Sequence, residues 1–171
     1  MEVNELIKKR RSIRRYVEGA SVSDEEVRLV LEAAMMAPSA CNSRPWSFTV
    51  VRNREVLDKI AEAHPHAKMM KMASVAILVT ADPSLQSGIS EGFYPQDCAA
   101  AVQNILLQAA DMDLGTCWCG VYPKEKATKS MKEIFELEEG IVPFAVIALG
   151  KPDQEFGSRG YYEEDKVNWV N

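Results

Sequence analysis

The segment that most constrains the fold is an apolar stretch at residues 95–113, where the spacing of apolar side chains predicts a long helix. The apolar positions that share one side of this helix are Cys98, Ala101, Val102, Ile105, Leu106 and Ala109. Three consecutive alanines at residues 99–101 would let another helix approach closely. Because so apolar a helix cannot stay exposed to water, we expect it at the centre of the fold or at a dimer interface.

Shorter elements surround this helix. Strands are predicted at residues 46–51, 74–80 and 141–149, and a turn plus strand at residues 114–122. Helices are predicted at residues 2–11, 24–37, 54–63, 66–72 and 124–135. Ser23 and Glu26 have the spacing of a capping box at the start of the second helix. The order mixes helices with about four strands, without regular alternation of strand and helix.

Size and composition indicate an ordinary globular protein. The chain has 171 residues, of which 47% are hydrophobic, and this is enough for one domain with a buried core. The longest apolar runs, at residues 74–80 and 141–149, are too short to span a bilayer. The first residues do not have the basic and then apolar pattern of a secretory signal, so a cytoplasmic location is expected.

Positive charge is concentrated near the N-terminus of an otherwise acidic chain. The formal net charge is −5, yet six of the eight residues at 8–15 are cationic. They are Lys8, Lys9, Arg10, Arg11, Arg14 and Arg15. Together with Ser12 they could bind phosphate, because guanidinium groups bind phosphate oxygens in a bidentate way. The alternative is a solvated helix end, where cations offset the helix dipole. The acidic balance favours a small phosphorylated ligand over nucleic acid.

Motifs for several kinds of catalysis are absent from the sequence. There is no Gly-rich dinucleotide fingerprint, no P-loop pattern and no assignable Ser/His/Asp or Cys/His set. Cys117 and Cys119 have C-x-C spacing, and the pair His64 and His66 lacks a third ligand, so we expect buried thiols and no metal site. If the protein is an enzyme, its chemistry therefore belongs to a cofactor.

Two further segments are candidates for ligand or partner contacts. In the loop at residues 38–46, Ser39, Asn42 and Ser43 could meet the edge of a ring that carries donors and acceptors, or the loop could be a plain connector. The C-terminal residues 151–171 are polar and aromatic without periodicity. Such a tail cannot fold on itself, so it is either disordered or lies on another surface.

These segments together resemble the FMN-dependent nitroreductase family. The resemblance begins with Arg-Arg-Ser-Ile-Arg at residues 10–14 and Pro-Ser-Ala-Cys-Asn-Ser-Arg-Pro-Trp at residues 38–46. It continues at residues 96–104, 115–123, 148–152 and 159–169. The matches cover essentially the whole chain in the family's order.

The resemblance implies an α+β nitroreductase-like fold, with a mostly antiparallel central sheet flanked by helices. It implies one FMN-binding domain over residues 1–171, built as an intertwined homodimer in which the C-terminal arm at about 151–171 crosses to the partner. The residues that it places at FMN are Arg10, Arg11, Ser12, Arg14, Pro38, Ser39, Ala40, Asn42, Gly120 and Arg159. Those of the 38–42 loop would come from the other subunit, and Gly120 would offer its N–H to the flavin N5 edge.

The implied activity is an oxidoreductase that passes hydride from NADH or NADPH, through flavin N5, to a nitroaromatic, quinone or similar acceptor by a ping-pong mechanism. No side-chain catalyst and no metal is required. The alternatives are a flavin carrier or sensor without NAD(P)H turnover, and a specialised flavin dehydrogenase or dehalogenase. Arg44 stands where the family commonly has Gln, and Cys41 is either a small packing residue or a reactive thiol near the partner's flavin.

Overall fold

The computed structural model describes residues 2–154, 157 and 160–170. The α-helices of this part of the chain are α1 Val3–Lys9, α2 Asp24–Met35, α3 Arg54–Ala63, α4 Tyr94–Asp111 and α5 Glu125–Phe135. Its β-strands are β1 Trp46–Val51, β2 Val75–Ala81, β3 Gly115–Gly120 and β4 Val142–Gly150.

The four strands form one sheet in the order β1-β2-β4-β3. Each neighbouring pair is antiparallel. The two central strands, β2 and β4, are buried almost throughout, whereas β1 and β3 are the edge strands of the sheet. The structure therefore confirms the predicted α+β class with an antiparallel central sheet.

Helices cover both faces of the sheet. Alternate residues of a strand point to opposite faces, so each strand contributes side chains to both helix layers. Along β2, Val75, Ile77 and Val79 belong to a core cluster with residues of α2 and α4. The intervening Ala76 and Leu78 belong to a second cluster with residues of α3 and α5. The continuous apolar run of β2 is thus explained by burial on both faces.

The long helix α4 lies in the core, as its apolar side predicts. Another helix does approach it: Asn104 of α4 donates a side-chain hydrogen bond of 2.9 Å to the carbonyl of Ala33 in α2. The predicted capping box of α2 is also present, since the side chains of Ser23 and Glu26 each accept from the other's backbone N–H.

Two glycines let the segment after α1 lie directly on the end of the sheet. A Cβ at Gly115 of β3 would be 2.8 Å from the side chain of Ile13. A Cβ at Gly150 of β4 would be 2.8 Å from the ring of Tyr16. Ile13 and Tyr16 are both buried, so these contacts fix the backbone of the basic segment against the sheet.

The structure differs from the sequence-based elements at short segments and at the tail. Residues 66–72 were expected to be helical, but only the 3-10 turn Lys68–Lys71 forms. Between residues 160 and 170, one 3-10 turn at Glu164–Lys166 interrupts an extended, exposed chain. Among the helices described, none has the length and apolar character needed to cross a membrane.

Candidate functional site

The basic segment is held in a fixed position beside β3. The N–H of Ile13 donates to the carbonyl of Thr116 at 2.8 Å, and Ser12 forms a bridge to the same threonine. On its other side, the N–H groups of Arg14 and Arg15 both donate to the side chain of Gln154, at 2.9 Å each. The side chains of this segment therefore project from a fixed backbone.

The cations of this segment have different surroundings. Lys9 forms an exposed ion pair with Asp113 at 2.6 Å, and Arg15 forms one with Asp153 at 3.2 Å. Lys8 and Lys9 lie in the last turn of α1, where they offset the helix dipole. The helix-end interpretation thus fits the two lysines, and the candidate phosphate-binding residues are the arginines.

Arg10 and Arg11 line a cavity of about 360 Å³ between the segment, the end of α4 and the start of β3. The guanidinium of Arg11 is fixed by two hydrogen bonds, from Nε to the carbonyl of Gly157 at 3.1 Å and from Nη1 to the carbonyl of Arg10 at 2.5 Å. Its Nη2 is buried and has no hydrogen-bond partner among the described residues. A buried donor without a partner is costly, so this nitrogen is the part of the guanidinium whose hydrogen bonding the described residues leave incomplete.

Arg14 lines a second cavity, of about 310 Å³, on the other side of the segment. His66 and Lys68, which follow α3, line it as well, and so do Cys117 and Trp118 of β3. Sequence reasoning did not place His66 or Lys68 at the site. Only the fold brings the chain that follows α3 next to β3.

Gly120 ends β3, two residues after the cavity-lining Trp118, and is exposed. A Cβ built on Gly120 would meet no other atom within 4 Å. The backbone at this position is therefore open to a flat ligand. The carbonyl of Gly120 is 2.9 Å from Nε2 of the buried His64.

The two thiols of β3 are buried beside this cavity, as expected. Both Cys117 and Cys119 lie in the core cluster on the α3 and α5 side of the sheet.

The loop at residues 38–46 has a constrained backbone. Cys41, Asn42 and Arg44 have φ angles of 52°, 53° and 48°, in the left-handed region that non-glycine residues seldom adopt. Such conformations persist only where the surroundings hold them, and they concentrate at functional sites. The Cys41 side chain is exposed.

A buried polar network holds this loop in place. Asp97, in the first turn of α4, accepts from the N–H of Ala40 at 3.0 Å and from the side chain of Gln86 at 2.8 Å. Gln86 also donates to Ser43 at 3.2 Å, and its carbonyl oxygen accepts from the N–H of Tyr94 at 2.8 Å. Asp97 and Gln86 are each 6% exposed, so the loop is fixed by groups that water hardly reaches.

The predicted site residues fall into two groups. Arg10, Arg11, Ser12, Arg14 and Gly120 lie along β3 on one edge of the sheet. Pro38, Ser39, Ala40 and Asn42 precede β1, the opposite edge, which is three strand spacings or about 14 Å away. Arg159 lies outside the described residues.

The fold and the site define an α+β protein with several arginines beside two cavities at one edge of its sheet. Its family follows from comparison with known proteins. The nitroreductase family profile matches residues 7–68 and 64–151, and the chain belongs to this family.

Two archaeal relatives match nearly the full length of the chain. A protein of Methanothermobacter thermautotrophicus is 46% identical over 168 residues, which are 98% of this chain and 86% of the relative. A protein of Archaeoglobus fulgidus is 45% identical over 164 residues, 96% of this chain and 91% of the relative. Both carry the name "Putative NADH dehydrogenase/NAD(P)H nitroreductase".

Solved structures agree with the fold. A crystal structure of a protein of the same name from Parabacteroides distasonis has a TM-score of 0.92 and 34% identity, covering 98% of this chain and 97% of its own. A nitroreductase from Desulfovibrio desulfuricans, solved in complex with FMN, has a TM-score of 0.83 and 32% identity, covering 100% and 98%.

Proposed function

We propose that this protein is an FMN-dependent oxidoreductase that uses NADH or NADPH to reduce nitroaromatic, quinone or similar electron-poor acceptors. The observation that carries the proposal is the pair Arg10 and Arg11, which line one cavity, where Arg11 also keeps a buried guanidinium nitrogen without a hydrogen-bond partner among the described residues. In a member of the nitroreductase family, FMN is the ligand whose phosphate fits this group. The relative from Desulfovibrio desulfuricans, solved with FMN, supports this choice.

The residues present fit the two ends of FMN. Arg10 and Arg11 would hold the phosphate. Ser12, which lies between Arg11 and Arg14 in the chain, would add its side-chain hydroxyl. Arg14 and Lys68 would face the ring and place positive charge on its wall, which favours the more negatively charged redox form. Gly120, with open space where a side chain would be, would let the ring approach the backbone.

FMN held by these residues would supply the hydride-transfer chemistry between the nicotinamide and the acceptor in a ping-pong sequence. The protein residues bind, orient and tune the cofactor. No nucleophile or general base is needed: the carboxylate that lines the phosphate cavity, Asp113, is already paired with Lys9, and the other charged side chains of the two cavities are cationic.

The complete site is proposed to need a second copy of the chain. The residues of the 38–42 loop lie at the opposite edge of the sheet from Arg14, so the loop of one protomer would contact the flavin of the other. The extended arm at residues 160–170 supports the same arrangement, because its exposed apolar side chains need a surface to cover them. We infer an intertwined homodimer in which these arms are exchanged.

The test uses the purified chain loaded with FMN. We expect a yellow protein with a flavin absorption spectrum that NADH or NADPH bleaches, and steady-state consumption of the nicotinamide once a quinone or nitroaromatic is added. A chain that cannot be reconstituted with FMN would contradict the proposal. Bound FMN without turnover by either nicotinamide would instead indicate a flavin carrier or sensor.

A further inference from the structure

His64 is a buried side chain that connects the end of β3 to the segment of His66 and Lys68, which lines the Arg14 cavity. It follows the last residue of α3, and only 3% of it is exposed. One ring nitrogen, Nδ1, accepts from the backbone N–H of His66 at 3.2 Å. The other, Nε2, is 2.9 Å from the carbonyl oxygen of Gly120.

These two contacts fix the tautomer of the ring. A neutral imidazole has one N–H, and Nδ1 is used as an acceptor. The proton is therefore on Nε2, which donates to Gly120. His64 thus bonds at once to the loop that carries His66 and to the end of β3.

A second contact reinforces the same junction. The thiol of Cys119 donates to the carbonyl of His66 at 3.4 Å, one residue before Gly120 in β3. The backbone of His66 is therefore linked to β3 twice, directly to Cys119 and through the His64 ring to Gly120. The position of Gly120 relative to His66, which lines the cavity, depends on these bonds.

We propose that His64 is a positioning residue: it fixes the backbone of Gly120 relative to the loop of His66 and Lys68, and so sets the width and orientation of the flavin-ring site. The inference rests on the proposed function, because the ring site is the one assigned to FMN. His64 itself is buried behind the cavity wall and acts through Gly120. Loss of its N–H leaves the Gly120 carbonyl free to turn, which loosens the wall that meets the ring.

The experiment compares three substitutions of His64 in the full-length protein. His64→Gln keeps a donor that reaches the Gly120 carbonyl, whereas His64→Asn is too short to reach it and His64→Leu has no donor. The control is Ile60→Val, a buried change on the same helix that costs stability without touching Gly120. The dissociation constant for FMN and the midpoint potential of the bound flavin are measured at a temperature at which circular dichroism shows each variant folded.

We expect His64→Leu and His64→Asn to weaken FMN binding about 10-fold and to lower the midpoint potential, with His64→Gln within about 3-fold of the wild type. If His64→Leu does not fold, the contrast between Asn and Gln decides the result. Affinities and potentials that match the Ile60→Val control would overturn the positioning role and leave the proposed function intact. A wild-type chain that takes up no FMN would contradict the proposed function, and the inference with it.

Discussion

At the scale of single residues, the guanidinium of Arg11 is the group whose hydrogen bonding the described residues leave incomplete. Its backbone position is fixed by the bridge between Ser12 and Thr116, and two of its nitrogens are already bonded. The third is buried without a partner among the described residues. A phosphate oxygen would complete its hydrogen bonding at little cost in conformational entropy, because the side chain is already ordered.

Replacing Arg11 with alanine should therefore weaken FMN binding by about 1.5–3 kcal/mol, the range for a hydrogen bond to a charged group. The matched control is Arg15→Ala, since Arg15 lies in the same segment but forms an exposed ion pair with Asp153. Fluorescence titration of both variants with FMN is the measurement. Equal loss of affinity in the two would mean that general positive charge, and not the Arg11 geometry, attracts the ligand.

At the scale of elements, the start of α2 is tied to the chain that leaves β4. Glu26 accepts from the N–H and the hydroxyl of Ser23 at 2.7 and 3.0 Å, and from Lys151 at 2.6 Å. The hydrogen bond from Lys151, followed by that from the Ser23 backbone, lowers the pKa of Glu26 below its ordinary 4.5. Because the folded pKa lies below the unfolded one, the stabilisation is complete above the unfolded value and is lost as the pH falls through the folded value.

Glu26→Gln should lower the free energy of unfolding by about 1 kcal/mol at pH 7, because glutamine can keep the capping box but not the ion pair with Lys151. The difference from the wild type should shrink on acidification to pH 3. Urea unfolding at the two pH values measures it, with the exposed Glu18→Gln as control. A difference that persists unchanged at pH 3 would show that the charge of Glu26 is not its source.

At the scale of the whole molecule, the arm at residues 160–170 exposes large aromatic side chains that a single copy of the chain does not cover. Trp169 and Tyr161 are 79% and 84% exposed, and large aromatic side chains are seldom left so far in water without a partner surface. The exchanged-arm dimer would bury them. It would also bring the 38–42 loop of one protomer to the flavin site of the other.

Trp169→Ala should raise the dimer dissociation constant at least about 100-fold, because each of the two exchanged arms loses about 1.5–3 kcal/mol of apolar burial. Lys166→Ala is the control within the same arm, since its ion pair with Glu163 is exposed and contributes little. Sedimentation velocity over a dilution series measures both. If the wild type is monomeric at all concentrations, or if Trp169→Ala dimerises as tightly, the exchanged-arm arrangement is wrong.

Local sequence was sufficient for the elements whose signals are strong. The β-branched and aromatic residues at 46–51 predicted β1, and the helix predicted at residues 54–63 is α3, each with its observed bounds. The capping box predicted the start of α2. The helix predicted at residues 66–72 is only a 3-10 turn in the structure, because the apolar residues of this segment are buried in a tight turn against the core.

The sequence by itself determined the two-sided sheet, the long core helix and a concentration of arginines suited to phosphate, because these depend on the order and type of neighbouring residues. Only the tertiary structure decided which cations are free to bind a ligand. The fold pairs Lys9 and Arg15 with carboxylates. It leaves one nitrogen of Arg11 buried and unpaired among the described residues. It also brings the chain that follows α3 to β3, and with it His64, His66 and Lys68. These contacts join residues more than fifty positions apart, and no local pattern encodes such distances.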